Sequence, residues 1–401
     1  MKNKRNVAVE FWRFFFAIAI VGYHIGVIYA PRTLKGIVEP SDWMAGAGEI
    51  LFVFTLTAGY FLVKHFKRLQ ADENYRKEKA AKRAWEYLWG RIRALLPVLG
   101  LGILFGIVVM GLFNNMDLKS VILSTFNGLW EFLGLYSAGF PAAIGQANGA
   151  MWFISGLLIC SYFLYFGMCK DEDKTVGFFV PAIFVFLGGW WAWNGTRASQ
   201  VAWSTFGTQQ ATNPAVIGNP ITTAVIGINN GLLFVLVGMC GGILLYYGIE
   251  KLRQHKFTAG QRMWLTLLYA AVAVVLTIYT INPTIISGAY NITNNTTGGG
   301  LSRWTVHLLC ILLIGLTLLN EDGISKLLNN KYTAGIFNYL GGSALYIYML
   351  HVPIIFLYCM IKGLQPAVPY TWFEVFCVVV VSSTILGAIV KYLMDKYVIK
   401  K

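Results

Sequence analysis

Three ionisable residues interrupt an apolar stretch close to the start of the chain, and their types suit acid–base chemistry. Glu10, Arg13 and His24 stand in the segment from about residue 8 to residue 30, which is otherwise apolar. Imidazole titrates close to neutral pH, so His24 can serve as a general base that removes the proton of an attacking hydroxyl. Ionisable groups in an apolar span are costly unless they face a partner or water, which makes all three candidates for function.

The spacing places the guanidinium and the imidazole on one face of a helix. Arg13 and His24 are 11 residues apart, which is about 20° beyond three full turns and about 16 Å along the axis. We therefore expect both side chains to line one hydrated channel without touching. Glu10 precedes Arg13 by three residues, within reach for an ion pair. Two plainer interpretations stay open: His24 is a structural histidine inside a helix bundle, and Arg13 is a cation that snorkels to the membrane surface.

The elements that position these residues are predicted from composition and from apolar runs. The 401 residues are 57% hydrophobic and 12% charged, whereas about a quarter of the residues in an ordinary soluble domain are charged. We predict an all-α, polytopic membrane helix bundle of about ten transmembrane helices, forming a single domain over residues 1–401. The apolar runs lie at about 8–30, 48–66, 94–113, 150–169, 176–194, 225–249, 263–282, 304–319, 337–361 and 372–394. The stretch 118–140 holds polar residues and glycines, so a tilted, interfacial or re-entrant element is predicted there.

Lysine and arginine collect at the termini and in alternate gaps between the apolar runs. This distribution predicts that both termini face the cytoplasm. The net charge of +14 is interpreted as a topology signal that also attracts membrane lipid. No nucleic-acid partner is expected, because the charges lie in short tracts between spans. Charged residues inside the first apolar run favour a retained first helix over a cleaved signal peptide.

The cysteines and histidines do not have the spacing of a metal site. The six cysteines lie in or at the ends of apolar segments, without a CxxC pair and without a histidine at metal-ligand spacing. We expect them to be small buried hydrophobes, and we expect no metal.

A compact basic segment precedes the third apolar run. Arg91 and Arg93 stand just before Pro97, at the end of a long basic gap. The rigid guanidinium fork is suited to phosphate, so this segment is a candidate site for the phosphates of a cytoplasmic acyl donor such as acetyl-CoA. The alternative is a positively charged gap attracted to anionic lipid, which fully explains the lysines from residue 67 to residue 82.

Residues of two later helices are candidates for an acceptor pocket. Trp152 begins the fourth apolar run, and Tyr348 and His351 lie within the ninth. The alternatives are an interfacial aromatic belt for Trp152 and a helix-bridging hydrogen bond for His351. His307, Glu131 and Glu374 rank below these residues, whereas His65 and His255 are expected to be solvated cytoplasmic residues. The polar loops 195–224 and 283–302 are candidates for contact with an extracytoplasmic glycan, or are plain solvated connections.

Five motifs, in order along most of the chain, resemble acyltransferase family three, the bacterial multi-pass membrane acyltransferases. The first is Glu10-Phe-Trp-Arg13 with His24, and the second is Gly59-Tyr60. Arg91, Arg93 and Pro97 form the third, Trp152-Phe153 the fourth, and the segment from Leu340 to His351 the fifth. Two positions depart from the pattern: Ala58 replaces the usual Ser, and Glu49 lies farther upstream of Gly59 than the family's carboxylate.

The resemblance implies an O-acyltransferase of the stand-alone type, without a fused hydrolase-like domain, in the bacterial cytoplasmic membrane. Its donor is expected to be acyl-CoA, most often acetyl-CoA, and its acceptor a cell-surface glycan or a lipid-linked precursor. Arg91 and Arg93 would then anchor the donor phosphates and Arg13 would position its acyl end. His24 would activate the hydroxyl, with Glu10, Trp152, Tyr348 and His351 around the substrates. A covalent acyl-imidazole at His24 is the alternative mechanism.

A membrane transporter or flippase of a glycan or small molecule is the alternative function. Polytopic bundles with few intramembrane charges often move substrates across the bilayer. The sequence lacks the pair of Gly- or Pro-broken helices, in matching halves, that is typical of many transporters. Consumption of acetyl-CoA by the purified protein would distinguish the two functions.

Overall fold

The computed structural model describes residues 6–29, 44–127, 129–135, 148, 151–189, 230–283, 285, 299–362, 369–394 and 396. Within these ranges the chain is almost entirely helical and contains no strand, which confirms the predicted all-α class. The polar loop 195–224 lies outside the described residues, as does most of the loop 283–302.

The helices follow the predicted apolar runs closely. In chain order they are α1 (Val7–Tyr29), α2 (Ala47–Ile50), α3 (Phe52–Gln70), α4 (Glu73–Lys77), α5 (Ala80–Phe113), α6 (Leu118–Asn127), α7 (Leu129–Phe132), α8 (Met151–Lys170), α9 (Glu172–Lys174), α10 (Val180–Ala182), α11 (Asn230–Leu252), α12 (Ala259–Ile281), α13 (Gly299–Leu319), α14 (Gly323–Leu328), α15 (Lys331–Lys362) and α16 (Pro369–Leu393). Turns of π-helix, Thr175–Phe179 and Ile183–Leu187, flank α10.

Eight helices in the described part of the chain are long and apolar enough to cross a membrane. They lie at eight of the ten predicted spans. The other two predicted spans coincide with α13, whose apolar part is the shorter segment Trp304–Leu319, and with the mixed α and π turns of residues 172–187. The protein is therefore a multi-pass membrane protein, and the cytoplasmic location of its termini stays a prediction.

Residues 118–132 form two short helices. The helix α6 has 10 residues and α7 has 4, and at about 1.5 Å per residue neither reaches across a hydrocarbon core of about 30 Å. The described part of this stretch thus agrees with the prediction of an element that does not span the membrane.

The chain divides into two compact units. The first comprises Met1–Thr57 with Leu245–Lys401, and the second is Ala58–Leu244. A single domain over residues 1–401 therefore stays a prediction.

The first unit is organised around the packing of α1 on α15. Glu10 lies against Gly341, the ring of Phe11 meets that of Phe337, and His24 meets His351. The start of α1 meets residues 337 and 341, and its later residue His24 meets the later residue His351, so the two helices run parallel. The third contact brings together two candidate site residues that are 327 positions apart in the chain.

A buried chain of hydrogen bonds connects α1 to α12 and α13 within the first unit. Trp12 Nε1 donates to the Tyr269 hydroxyl at 2.6 Å, and that hydroxyl lies 3.0 Å from Thr317 Oγ1. Thr317 in turn donates to the carbonyl of Leu313 at 2.6 Å. Each polar group in this series of hydrogen bonds has a partner, so the series costs little free energy although it is buried. It fixes the rotation of α1 about its axis.

The second unit is built mainly on the packing of α5 and α8. Arg83 of α5 is buried, and its Nη2 donates to the carbonyl oxygen of Cys169 at 2.5 Å. Just after α8, Asp171 caps the start of α9, where its side chain accepts from the amide of Lys174 at 2.9 Å. This amide hydrogen bond, with help from the Lys174 ammonium, lowers the pKa of Asp171.

Candidate functional site

The ion pair predicted at the start of α1 is present. Arg13 Nη1 lies 3.1 Å from each carboxylate oxygen of Glu10. Glu10 is buried, at 7% exposure, whereas about a third of the Arg13 side chain (34%) is exposed. The arrangement neutralises a buried carboxylate and still leaves the guanidinium with an accessible side.

Glu10, Arg13 and His24 occupy a narrow sector of α1. Because α1 is a continuous helix, the three side chains fall within about 60° of one another around its axis. Glu10 and His24 both contact α15, through Gly341 and His351 respectively. The predicted shared face is thus the face that packs against α15.

His24 and His351 form a hydrogen-bonded pair of imidazoles. Nδ1 of His24 lies 3.0 Å from Nε2 of His351, and the ring centroids are 4.8 Å apart. His24 is half-buried, whereas His351 is completely buried, at 0% exposure. The sequence nominated both residues but gave no sign that they touch.

Tyr348 lies next to this pair of histidines. Its ring centroid is 5.8 Å from that of His351, and the residue is buried, at 7% exposure. Both residues lie on the part of α15 that includes Pro353. Of the two candidate acceptor residues, His351 therefore contacts His24 directly, and Tyr348 contacts His351.

A second buried acid–base pair, which the sequence ranked low, lies in the same unit. His307 Nε2 of α13 is 3.2 Å from Glu49 Oε2 of α2, and both residues are buried. The ring of Phe52 stacks on the imidazole with centroids 4.3 Å apart. The family resemblance had shown Glu49 as displaced from its expected position. That displacement, together with a histidine in another apolar run, was the only signal in the sequence for this pair.

The two candidate donor-binding arginines lie on opposite sides of α5. Positions two apart differ by about 200° around a helix. Arg91 lies over the ring of buried Tyr87 at 5.3 Å, whereas Arg93 lies over the exposed ring of Trp89 at 5.6 Å. The structure therefore does not bring the two guanidinium groups together.

Arg91 belongs to a cluster of polar and aromatic groups in the second unit. Tyr165 is the centre of this cluster: its hydroxyl lies 2.8 Å from that of Tyr75 and 3.3 Å from His65 Nδ1, and its ring stacks on Tyr87 at 4.2 Å. Arg91 is close enough to His65 for an electrostatic interaction. The expectation that His65 is a solvated residue is wrong, because its helix turns the ring toward α8.

Tyr75, in the same cluster, lies outside the membrane-spanning helices. Partial burial raises the pKa of its hydroxyl. His255 agrees with the prediction that it is solvated, since it is exposed and its ring contacts Gln261, at 3.3 Å, and Phe257.

Trp152 is packed inside the second unit. It is 7% exposed, and its ring lies 5.6 Å from that of Phe153 and 6.5 Å from that of Phe234. A buried indole does not form an interfacial belt, so this alternative does not apply to Trp152. Its role toward a substrate stays a prediction.

An apolar groove of about 720 Å³ lies between α8, the π turns and α11 of the second unit. Its walls include Phe163, Phe166, Phe179 and Leu236, with Lys170 and Lys174 among its few polar residues. None of the nominated site residues lines it. Its lining suits a hydrocarbon chain better than a sugar.

The described residues contain no group of three or more His, Cys, Asp or Glu side chains that could hold a metal ion. All six cysteines are free, and five of them are buried.

The fold and the site together define a multi-pass membrane protein whose acid–base groups lie between apolar helices. The acyltransferase domain of acyltransferase family 3 matches residues 6–392, so the chain belongs to acyltransferase family 3 and is a membrane acyltransferase. The match covers both units and all the nominated site residues. No curated protein and no solved structure matches the chain.

Proposed function

We propose that this membrane acyltransferase is an O-acetyltransferase of the bacterial cytoplasmic membrane. It transfers the acetyl group of cytoplasmic acetyl-CoA to a hydroxyl of a cell-surface glycan or of its lipid-linked precursor. Membership of the family supplies the reaction class. The donor, the acyl group and the acceptor rest on the chemistry of the site residues and on the family resemblance.

The observation that carries this proposal is the partly buried imidazole of His24 on the same face of α1 as Arg13. Both groups lie in a helix that is otherwise apolar, where an ionisable group without a function would be costly. His24 is held by the carbonyl of Ile20 and by His351, each at 3.0 Å. An imidazole held in a fixed orientation, with one nitrogen left for a substrate, is suited to proton transfer.

The reaction balances with His24 as general base. A ring nitrogen of His24 removes the proton of the acceptor hydroxyl while the hydroxyl oxygen attacks the thioester carbonyl carbon. The new C–O bond forms and the C–S bond breaks, so CoA leaves as a thiolate. The proton held by His24 then passes to this thiolate, which returns the imidazole to its neutral form.

Arginine side chains are assigned to the donor. The accessible side of Arg13 positions the acyl end or the pantetheine arm, and Glu10 holds Arg13 in place through the ion pair. Of the two arginines on α5, Arg91 is assigned to the donor phosphates, since it lies beside His65 and faces the cluster around Tyr165. Arg93 lies beside exposed Trp89 and contributes positive charge from the opposite side of the helix.

Residues behind and around the imidazoles are assigned to the acceptor side. His351 contacts His24, and Tyr348 contacts His351. Trp152, which lies in the second unit, is assigned to the acceptor on the family resemblance alone. The polar loops that the sequence nominated for glycan contact lie outside the described residues.

The test is acetyl transfer in proteoliposomes that contain the purified protein, radiolabelled acetyl-CoA and membrane glycolipid or surface glycan from the host strain. His24→Ala is expected to abolish transfer, with unchanged protein level and membrane insertion. His255→Ala, which changes an exposed histidine, is the matched control and should be fully active. An active His24→Ala protein would remove the base assignment, and a wild-type protein that never consumes acetyl-CoA would exclude the proposed donor.

The acceptor is identified by a separate measurement in cells. Deletion of the gene should remove one O-acetyl signal from the NMR spectrum of the surface polysaccharides. Complementation with the wild-type gene, but not with His24→Ala, should restore that signal. An unchanged set of O-acetyl signals would exclude a surface polysaccharide as the acceptor.

A further inference from the structure

We infer that His351 is a positioning residue that acts together with the carbonyl of Ile20 to hold the proton of His24 on Nδ1, leaving Nε2 of His24 as the reactive atom. This inference rests on the proposed role of His24 as a general base. A neutral imidazole has one N–H donor and one lone pair, and only the nitrogen with the lone pair can accept a proton from a hydroxyl. Which nitrogen that is follows from the groups around the two rings.

The first step concerns His351. Its Nδ1 lies 3.2 Å from the carbonyl oxygen of Ile347, one turn earlier in α15. A carbonyl oxygen only accepts hydrogen bonds, so Nδ1 of His351 must carry the proton. In a neutral ring Nε2 of His351 then has the lone pair, and it acts as an acceptor.

The second step concerns His24. Its Nδ1 faces two atoms at 3.0 Å, the carbonyl oxygen of Ile20 and Nε2 of His351. Both are acceptors when His351 is neutral, so Nδ1 of His24 must be the donor, shared between them. The lone pair of His24 is therefore on Nε2. Among the described residues, no hydrogen-bond partner occupies Nε2 of His24.

The reverse arrangement is unfavourable. If Nε2 of His351 donated to His24, both nitrogens of His351 would carry protons and the ring would be a cation. His351 is completely buried, and a buried cation without a carboxylate partner is costly. In addition, the lone pair of His24 Nδ1 would then point at the carbonyl oxygen of Ile20, where two acceptors repel each other.

Burial separates the roles of the two rings. His24 is half-buried and can meet a substrate, whereas His351 has no exposed surface. His351 therefore influences the reaction through His24. It takes the place that a carboxylate has behind the histidine of a Ser-His-Asp triad, but it is a neutral acceptor.

The inference is tested with two substitutions of similar size. His351→Gln keeps an acceptor oxygen at about the distance of Nε2, whereas His351→Met fills the space without a comparable acceptor. His351→Met is expected to lower kcat several-fold, because only the fraction of His24 that keeps an unprotonated Nε2 can act as the base, with an unchanged KM for acetyl-CoA. His351→Gln should recover most of that loss. Equal losses in the two variants would overturn the inference, since packing alone would then explain the role of His351.

A second readout does not depend on activity. The chain has five histidines, so ¹⁵N-histidine labelling in proteoliposomes gives few signals, and His24→Ala and His351→Met assign the relevant ones. In the wild-type protein Nε2 of His24 should have the ¹⁵N shift of an unprotonated nitrogen. In His351→Met, part of that signal should move to the protonated position, because only the carbonyl of Ile20 remains as an acceptor.

The spectra separate failure of this inference from failure of the proposed function. A wild-type protein with a protonated Nε2 on His24 would overturn the inference even if acetyl transfer is confirmed. A His24 spectrum that does not change in His351→Met would do the same, because the Ile20 carbonyl would then suffice. If His24→Ala is fully active, the general-base role fails, whatever the spectra show.

Discussion

Glu10 occupies the space that a side chain at position 341 would need. A Cβ atom built on Gly341 would lie 2.5 Å from the Cβ, the backbone oxygen and Oε2 of Glu10. Real side chains do not approach so closely, so α1 and α15 can pack at this distance only with glycine at position 341. The glycine therefore sets the position of the carboxylate that holds Arg13.

We predict that Gly341→Ala destabilises the protein and lowers acyl transfer. One of the obstructing atoms belongs to the backbone of α1, so the clash cannot be relieved by a side-chain rotation. Overpacking of this kind costs about 1–3 kcal/mol, and the shift of Glu10 would also disturb its ion pair with Arg13. Thermal unfolding in detergent and acetyl transfer in proteoliposomes measure the two effects.

Gly335→Ala is the matched control on the same helix. A Cβ atom at position 335 meets nothing within 4 Å, so this variant should be neutral or slightly stabilised by the better helix propensity of alanine. If both variants behave like the wild-type protein, the close packing of α1 on α15 is not present.

A similar contact in the second unit predicts the role of Gly59. A Cβ atom at this position would overlap the carbonyl oxygen of Met239 in α11. Gly59→Ala is therefore expected to destabilise the protein by about 1–3 kcal/mol or more, seen as a lower yield of folded protein and a lower unfolding temperature. Gly100→Ala, where nothing lies within 4 Å, should have no such effect. A stable but inactive Gly59→Ala protein would instead show that Gly59-Tyr60 acts on the chemistry.

The sequence predicted the helices well, because apolar runs of membrane-spanning length are a strong signal. It also predicted the ion pair of Glu10 with Arg13, since residues three apart on a helix are neighbours whatever the rest of the fold does. Both predictions depend only on information within one segment of the chain.

Contacts between helices could not be predicted in this way. His24 meets His351 across 327 positions, and Glu49 meets His307 across 258. Helices that are apolar on nearly all sides carry no amphipathic stripe to show which face meets which neighbour. The solvent exposure of His65 was wrongly predicted for a related reason. The residue lies beside a run of Lys and Arg, which indicates a solvated segment, and the sequence does not show that its side of the helix meets Tyr165.

The buried pair of Glu49 and His307 predicts a specific pattern of stability. Removing one partner takes this hydrogen bond away from a buried polar group and costs about 1–3 kcal/mol, whereas replacing both with apolar residues can be nearly neutral. Glu49→Leu and His307→Leu should each lower the unfolding temperature, and the double variant should be more stable than either. Additive losses would show that the two side chains do not interact.

Glu374→Leu, which removes a partly buried hydrogen bond of 2.9 Å to Tyr358, should cost only about 1 kcal/mol.

The opposite positions of Arg91 and Arg93 on α5 predict unequal effects on the donor. A hydrogen bond between a guanidinium and a phosphate contributes about 1.5–3 kcal/mol, so loss of the arginine that holds the phosphate should weaken binding about tenfold or more. We expect Arg91→Ala to raise the KM for acetyl-CoA by this amount with little change in kcat. Arg93→Ala, next to exposed Trp89, should change the KM by less than about threefold, in line with the loss of an exposed surface charge. Measured in the same vesicles at two salt concentrations, equal effects of the two variants would mean that the donor contacts both sides of the helix. A larger effect of Arg93→Ala would reverse the assignment and place the donor on the side of Trp89.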